Sequence, residues 1–164
     1  MKTSVTYTPV GIIHSEHTVP GKTPIQPIYA AGCEGTVDVF PEYAEGLKDL
    51  ETFSHIYLIY HLDRANEVRL KTRPFLKDTE HGIFAIRAPW RPNPIGMSIV
   101  RLIRREGSVL HFEGADILDG TPLLDIKPYT TRFDCIQTDR NGWHDEVSED
   151  DAQQRGRRGF GKES

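Results

Sequence analysis

Three short segments carry most of the residues able to do chemistry: PIQP at 24–27, GIFAIRAPWRPNPIG at 82–96 and DILDGTPLLDIKPY at 116–129. In the second, Pro89, Pro92 and Pro94 fix three φ angles, so Arg87, Arg91 and Asn93 stand on a backbone with little freedom left. A loop ordered in advance loses little entropy when a ligand arrives. The bland alternative is a rigid crossover between two strands. In the third segment Asp116, Asp119 and Asp125 fall close together, with Lys127 and Tyr129 just beyond. Carboxylates at that density accept ribose hydroxyls, hold a cation or take a proton from an N–H. Asp119-Gly120 is also an ordinary turn signal, and the shared strand parity of Asp125 and Lys127 equally suits an exposed ion pair of little energetic weight.

Missing patterns narrow the field. There is no GxGxxG after a strand, no GxxxxGK[ST], no HExxH, no GxSxG and no EF-hand loop, so five common chemistries lose their sequence support. His14 and His17 are three apart at the end of a strand, where side chains alternate between faces, and no metal site is expected. Cys33 and Cys135 sit outside any CxxC spacing and read as free thiols in a reducing compartment.

The elements that position these segments are mostly short strands. Glycine (14) and proline (11) exceed their usual joint share of roughly 12%, which favours turns over long helices. Strands are predicted at 5–14 and 33–40, joined by a long loop holding Pro20, Gly21, Pro24 and Pro27. One short helix is predicted over 41–53, with Tyr43, Leu47 and Leu50 at helical spacing. The apolar run SHIYLIYHL at 54–62 is a central strand. Further strands are expected at 82–88, 95–107, 108–118 and 122–129. About seven strands, one or two short helices and no β-α alternation predict a mainly β fold, a small antiparallel barrel unlike a Rossmann domain.

With 37% hydrophobic and 27% charged residues, the chain reads as a soluble globular domain over 1–134, followed by a polar extension over 135–164. The net charge of −4 opposes a nucleic-acid partner only as an average. Residues 139–151 hold six acids and one arginine, whereas 152–164 hold Arg155, Arg157, Arg158 and Lys162 against Glu163. Such polarity predicts a poorly ordered tail, either solvated or with its basic end on phosphates. No apolar run nears the ~20 residues of a membrane span, and MKTSVTYTPVG lacks a secretory core, so a cytoplasmic location without membrane contact is expected.

FSHIYLIYHL, GIFAIRAPWRPNPIGMS and DILDGTPLLDIKPY resemble the signature of the TsaA-like family of tRNA methyltransferases over roughly residues 8–134. PVGIIHS, PIQP and PEYAEGLKDLETFSH fall in the family's order. The resemblance implies a β-barrel, S-adenosylmethionine-dependent tRNA adenine N6-methyltransferase that works as a homodimer. Its acceptor would be N6 of threonylcarbamoyladenosine beside the anticodon of threonine tRNA. Carried over on matching motifs, the cofactor residues would be Pro24, Gln26, His61, Arg87, Met97, Asp116, Leu118, Asp119, Gly120 and Thr121.

Methyl transfer from a sulfonium is an in-line displacement that mainly needs alignment and exclusion of water. A carboxylate near the acceptor nitrogen would draw off its proton, and Asp119 and Asp125 are the candidates. Arg91, Asn93 and Lys127 would hold the substrate's carboxylate or an anticodon-loop phosphate. Tyr129 would stack on or hydrogen-bond a base; Trp90 suits stacking or simple packing. Longer family members carry a further domain after the DIKPY segment, where this sequence has its polar extension. A gripping role for the Arg-rich tail, weak tRNA binding or a smaller substrate would follow. Two readings compete with the enzyme acting on tRNA: a noncatalytic module that binds S-adenosylmethionine or a nucleotide, and a methyltransferase for small molecules.

Overall fold

The computed structural model describes residues 3–159. The strands in chain order are β1 (Gly11–Ser15), β2 (Glu34–Val39), β3 (His55–His61), β4 (Lys71–Thr72), β5 (His81–Gly82), β6 (Ile95–Glu106), β7 (Val109–Glu113) and β8 (Thr121–Pro128). Six of them close into a barrel in the order β1-β2-β7-β6-β3-β8, and β4 pairs with β5 alone. Every barrel pairing is antiparallel, and closure of β1 on β8 (Ile13 opposite Thr121) leaves the barrel itself without a free edge. The mainly β, non-Rossmann architecture expected from the sequence is the one observed.

Period-two patterning explains the core. β3 buries Ile56, Leu58 and Tyr60 and turns His55, Tyr57, Ile59 and His61 outward. β6 does the same with Ser98, Val100 and Leu102 inside. Ile13, Val37, Leu110, Phe112 and Leu123 meet them in one cluster. Each fully buried aliphatic or aromatic side chain contributes about 1.5–3 kcal/mol. A β-bulge in β8 shifts its register between Ile59 and Tyr60, so Leu123 and Ile126 both face the interior while Asp125 faces out.

Four local expectations change. The strand predicted at 5–14 is Gly11–Ser15, because its ladder with β2 begins only at Gly11. Of the predicted 82–88 strand only Gly82 is paired, at the end of β5; Ile83–Ala85 forms a 3-10 turn. The buried residues there are Ile83 and Ile86, three apart, a spacing that suits a 3-10 turn rather than a strand. The strand predicted at 108–118 stops at Glu113, because the N–H groups of Gly114 and Ala115 both turn to the Cys33 carbonyl at 2.8 and 3.1 Å. The predicted 41–53 helix is instead two 3-10 pieces, Pro41–Leu47 and Leu50–Thr52, separated at Asp49, whose φ of 67° interrupts the helix.

The polar stretch after residue 134, expected to be poorly ordered, carries structure as far as it is described. Helix α1 is Thr131–Asp134, a 3-10 turn spans Gly142–Glu146, and helix α2 spans Glu149–Gly156. Ser148 caps α2 by accepting from the Asp151 N–H. Glu149, Asp150 and Asp151 occupy its first turn and Arg155 its last. The acidic-then-basic order is thus the order a helix dipole favours. The end of the expected tail, Lys162 and Glu163 included, lies outside the described residues.

Candidate functional site

A chain of three polar groups lies where the barrel interior meets the loop after β7. Tyr60 Oη is 2.8 Å from Ser98 Oγ, and Ser98 Oγ donates to Asp116 Oδ1 at 2.7 Å. Tyr60 and Ser98 come from neighbouring inward positions of β3 and β6, brought together by strand register. Gly96 leaves room for the arrangement, since a Cβ there would overlap the Tyr60 ring. Burial pushes the Asp116 carboxyl up to about 7, against the opposing pull of the Ser98 hydrogen bond, a backbone hydrogen bond and the Arg87 charge. Burial raises the Tyr60 phenol too. A carboxyl poised near neutrality inside a polar cluster is a mark of a functional site.

Two loops from other parts of the chain converge here. Arg87, in the proline-stiffened segment, donates from Nη1 to Gln26 Oε1 of the PIQP loop at 3.0 Å. The Arg87 charge acts on Asp116 and on Tyr60. Gln26, Arg87 and Asp116, three of the cofactor residues expected from the sequence, are therefore brought together. Pro24 is fully buried and supports the loop from beneath.

The loop bearing Asp116 is held by the end of β1. Ser15 Oγ donates to the Ile117 carbonyl at 2.5 Å, and His17 Nε2 lies 2.6 Å from the Ala115 carbonyl. Asp119 Oδ1 lies 3.1 Å from His14 Nδ1 and accepts from the Ser15 N–H at 3.2 Å. Those bonds hold the Asp119 carboxyl below its ordinary range, the Ser15 N–H foremost. Asp119, one of the two side chains expected to act as a base, is engaged in anchoring its loop and has lowered proton affinity, whereas that of Asp116 is raised. Arg64 caps the turn by donating to the Asp119 carbonyl. Leu118 offers its carbonyl to the Thr121 hydroxyl at 2.6 Å, and Gly120 donates its N–H to Ile13 at 2.9 Å.

Arg91 also has a structural engagement. Its Nη1 donates to the carbonyls of Ile83, Ile86 and Ala88 at 3.0, 2.5 and 3.4 Å, which knots the segment below Arg87. Asn93 is exposed and accepts the Ile95 N–H on its carbonyl at 2.8 Å. Trp90 packs under the Arg69 guanidinium, 4.5 Å from the ring centre.

The remaining expected residues lie elsewhere, on the outer wall formed by β6, β3 and β8. Register places Met97, Ile59 and Asp125 in one row, Ile99, Tyr57 and Lys127 in the next, and Ile95 beside His61 at the end. Lys127 Nζ pairs with Asp125 Oδ2 at 2.9 Å, the exposed ion pair that strand parity allowed. Tyr129 contacts Tyr57 and His55, with ring centres 5.8 and 6.2 Å apart. Within one chain these residues do not converge on Asp116: Met97 faces out where its neighbour Ser98 faces in.

Among the described residues, Glu16, His17 and Cys33 bring possible metal-ligating atoms within 4.8 Å of one another. Burial pushes the Cys33 thiol up to about 11, with Glu16, Asp116 and Glu113 adding to the effect. Cys33 and Cys135 are both free. Sequence reasoning missed Ser98, Tyr60, His14 and Ser15. The signal for Ser98 was present: it is a hydroxyl on the inward parity of β6, whose other buried positions, Val100 and Leu102, are apolar.

Comparison with known proteins agrees with the fold and its motifs. Residues 12–135 match the tRNA-methyltransferase O N-terminal domain family. A probable S-adenosyl-L-methionine-binding protein of Pyrococcus abyssi is 55% identical over 139 residues, 85% of this chain and 76% of that protein. A tRNA (adenine(37)-N6)-methyltransferase of Mus musculus is 32% identical over 136 residues, 79% of this chain but only 32% of that enzyme. The crystal structure of TrmO from Pseudomonas aeruginosa superposes with a TM-score of 0.72 at 37% identity, covering 85% of this chain and 62% of that one. The chain thus spans less than two thirds of the solved TrmO chain and about a third of the mouse enzyme. A closed antiparallel barrel, the three motif segments in register and a match over most of the length lead to one conclusion: this chain belongs to the tRNA-methyltransferase O N-terminal domain family.

Proposed function

We propose that the protein is an S-adenosylmethionine-dependent methyltransferase acting on N6 of threonylcarbamoyladenosine beside the anticodon of threonine tRNA. The observation that carries this reading is the meeting of Gln26, Arg87 and Asp116 from three separate loops, with Asp116 poised near neutrality. That donor and acceptor set suits an amino-acid nucleoside. An ionised Asp116 accepts ribose hydroxyls or pairs with an ammonium, the Gln26 amide both donates and accepts, and the Arg87 guanidinium matches a carboxylate.

S-adenosylmethionine supplies an activated methyl group when bound. The chain's own task is alignment: Ser98 and Tyr60 orient the Asp116 carboxyl, Arg91 holds the turn under Arg87, and the β1 residues hold the loop under Asp116. Arg87 balances the charge of Asp116 once that carboxyl ionises. Asp116, whose carboxyl is pushed up to about 7 by burial, has a proton affinity suited to accepting a proton near neutral pH.

The outer wall supports a homodimer. Ile95, Met97 and Ile99 project from β6 and are 41%, 41% and 38% exposed, an apolar row on one strand face that Arg101 ends before Ile103. Met97, Asp125, Lys127, Tyr129 and His61 share that wall, so they reach a cofactor or substrate at a site completed by a second copy. The tRNA substrate implies a cytoplasmic location; among the described residues no helix is long and apolar enough to cross a membrane.

The test is incubation of the purified protein with labelled S-adenosylmethionine and total tRNA from cells with and without the threonylcarbamoyl modification. Label entering only the modified tRNA is the expected result. Cofactor binding without transfer to any tRNA overturns the proposal in favour of a binding module.

A further inference from the structure

The two loops that meet at the Gln26–Arg87 hydrogen bond are each gripped from behind by one stretch of chain, residues 142–158. On the Arg87 side, Trp143 Nε1 donates to the Ala85 carbonyl at 2.8 Å, two residues before Arg87. The Trp143 ring lies between His144 and His81, with ring centres 3.8 and 5.5 Å away. Lys77 pairs with Glu146, and Arg155 grips Asp78 through two nitrogens at 3.1 and 3.3 Å. On the Gln26 side, the Ile25 N–H donates to the Gly156 carbonyl at 3.0 Å, one residue before Gln26. Gly156 lies so close to the Tyr29 ring that a Cβ there would overlap it. Arg158 donates from Nη1 to the Pro20 carbonyl at 2.8 Å while its guanidinium covers the Phe75 ring at 4.2 Å. Burial, and after it the charge of Arg87, lowers the proton affinity of the His144 imidazole, which places His144 within electrostatic reach of Arg87.

These contacts share a geometry. The Gln26 loop and the Arg87 turn belong to distant parts of the sequence, and among the described contacts the direct side-chain link between them is a single hydrogen bond. Alone, that bond is too weak to keep two exposed loops in register. The 142–158 stretch touches both within one or two residues of the contact, and it combines main-chain hydrogen bonds, a bidentate ion pair and a buried glycine. Such a brace places side chains ahead of binding, so that the ligand does not have to order them.

We propose that residues 142–158 are a clasp that sets cofactor affinity by holding Gln26 and Arg87 at their working separation, with Trp143 as a positioning residue for Arg87. The inference rests on the assignment of Gln26 and Arg87 to the cofactor, and the experiment separates the two ideas. Affinity for S-adenosylhomocysteine is measured by titration calorimetry on the full chain carrying Trp143→Phe, Trp143→Ala, Arg87→Ala, and Arg87→Ala combined with each Trp143 change. Melting temperature is followed in parallel.

Trp143→Phe keeps an aromatic ring but loses the hydrogen bond to Ala85 and part of the stacking area, so affinity falls by about fivefold; Trp143→Ala loses roughly tenfold or more. In the Arg87→Ala background either Trp143 change alters affinity by less than about twofold, because the side chain it positions is gone. Equal fold-losses in both backgrounds, or a Trp143→Ala protein that binds like the wild type, overturn the clasp. Should Trp143→Ala unfold, the Trp143→Phe pair gives the same reading. An Arg87→Ala protein with unchanged affinity overturns the cofactor assignment itself, and the clasp with it.

Discussion

Replacing Asp116 by Asn should make the ligand-free protein more stable at neutral pH while removing its ability to bind the cofactor. The folded carboxyl titrates at about 7, whereas an unfolded aspartate titrates near 3.8. Below about pH 4 both states hold the proton and the wild type suffers no penalty. As the pH rises the unfolded chain ionises first, so the native state loses relative stability until the pH has passed through about 7; above that the full penalty persists. At about 1.4 kcal/mol per pH unit the difference reaches at most ~4 kcal/mol. Asp116 keeps some exposure and the Ser98 hydrogen bond, so about 2–4 kcal/mol is expected, roughly 5–15 °C in melting temperature for a chain of this size. Asn accepts the same Ser98 hydrogen bond without carrying charge.

The assay is thermal or urea unfolding of both proteins between pH 4 and 9, with S-adenosylmethionine binding measured over the same range. The curves should coincide at pH 4 and diverge towards pH 8 with the variant above. Wild-type affinity should strengthen as the pH rises through about 7, whereas the Asn variant should show no binding anywhere in the range. Parallel stability curves across the whole range would refute the argument that Asp116 is a destabilising, desolvated carboxyl kept for binding.

Other outcomes follow from neighbouring geometry. Ser98→Ala leaves the Tyr60 hydroxyl buried without its partner and should cost about 1–3 kcal/mol in urea unfolding. Gly96→Ala pushes a methyl group into the Tyr60 ring and should destabilise by about 1–3 kcal/mol, seen as a lowered melting temperature. Arg91→Ala frees three carbonyls beneath the Arg87 turn, so cofactor affinity should fall several-fold, whereas Asn93→Ala, at an exposed position, should leave it nearly unchanged; calorimetry separates the two.

Much of the barrel was legible because half-buried strands write their periodicity into the sequence. HIYLIYH alternates buried and exposed residues without a break, and β3, β6 and β8 fall within a residue or two of their expected limits. The failures share a cause. GIFAIRA has strand-like composition, but its carbonyls are committed to a 3-10 turn and to the Arg91 guanidinium, side-chain-to-backbone bonds that composition does not record. The polar C-terminal stretch reads as disorder when weighed by hydropathy alone, yet its anchors, Trp143 on Ala85, Arg155 on Asp78 and Gly156 under Tyr29, are single residues whose targets lie elsewhere in the chain.

The amino-acid order by itself determined the barrel class, the three functional segments and the residue types they carry, since hydrophobic alternation, proline rigidity and short motifs are local properties. Tertiary structure alone decided which of those residues meet. Strand parity sent Met97 and Asp125 to the outer wall and Ser98 to the interior, and the loop after β7 delivered Asp116 to Ser98 but bound Asp119 to β1. Proton affinity followed from that placement, because desolvation and hydrogen-bond donors are set by three-dimensional neighbours: two aspartates three residues apart in one loop were driven in opposite directions.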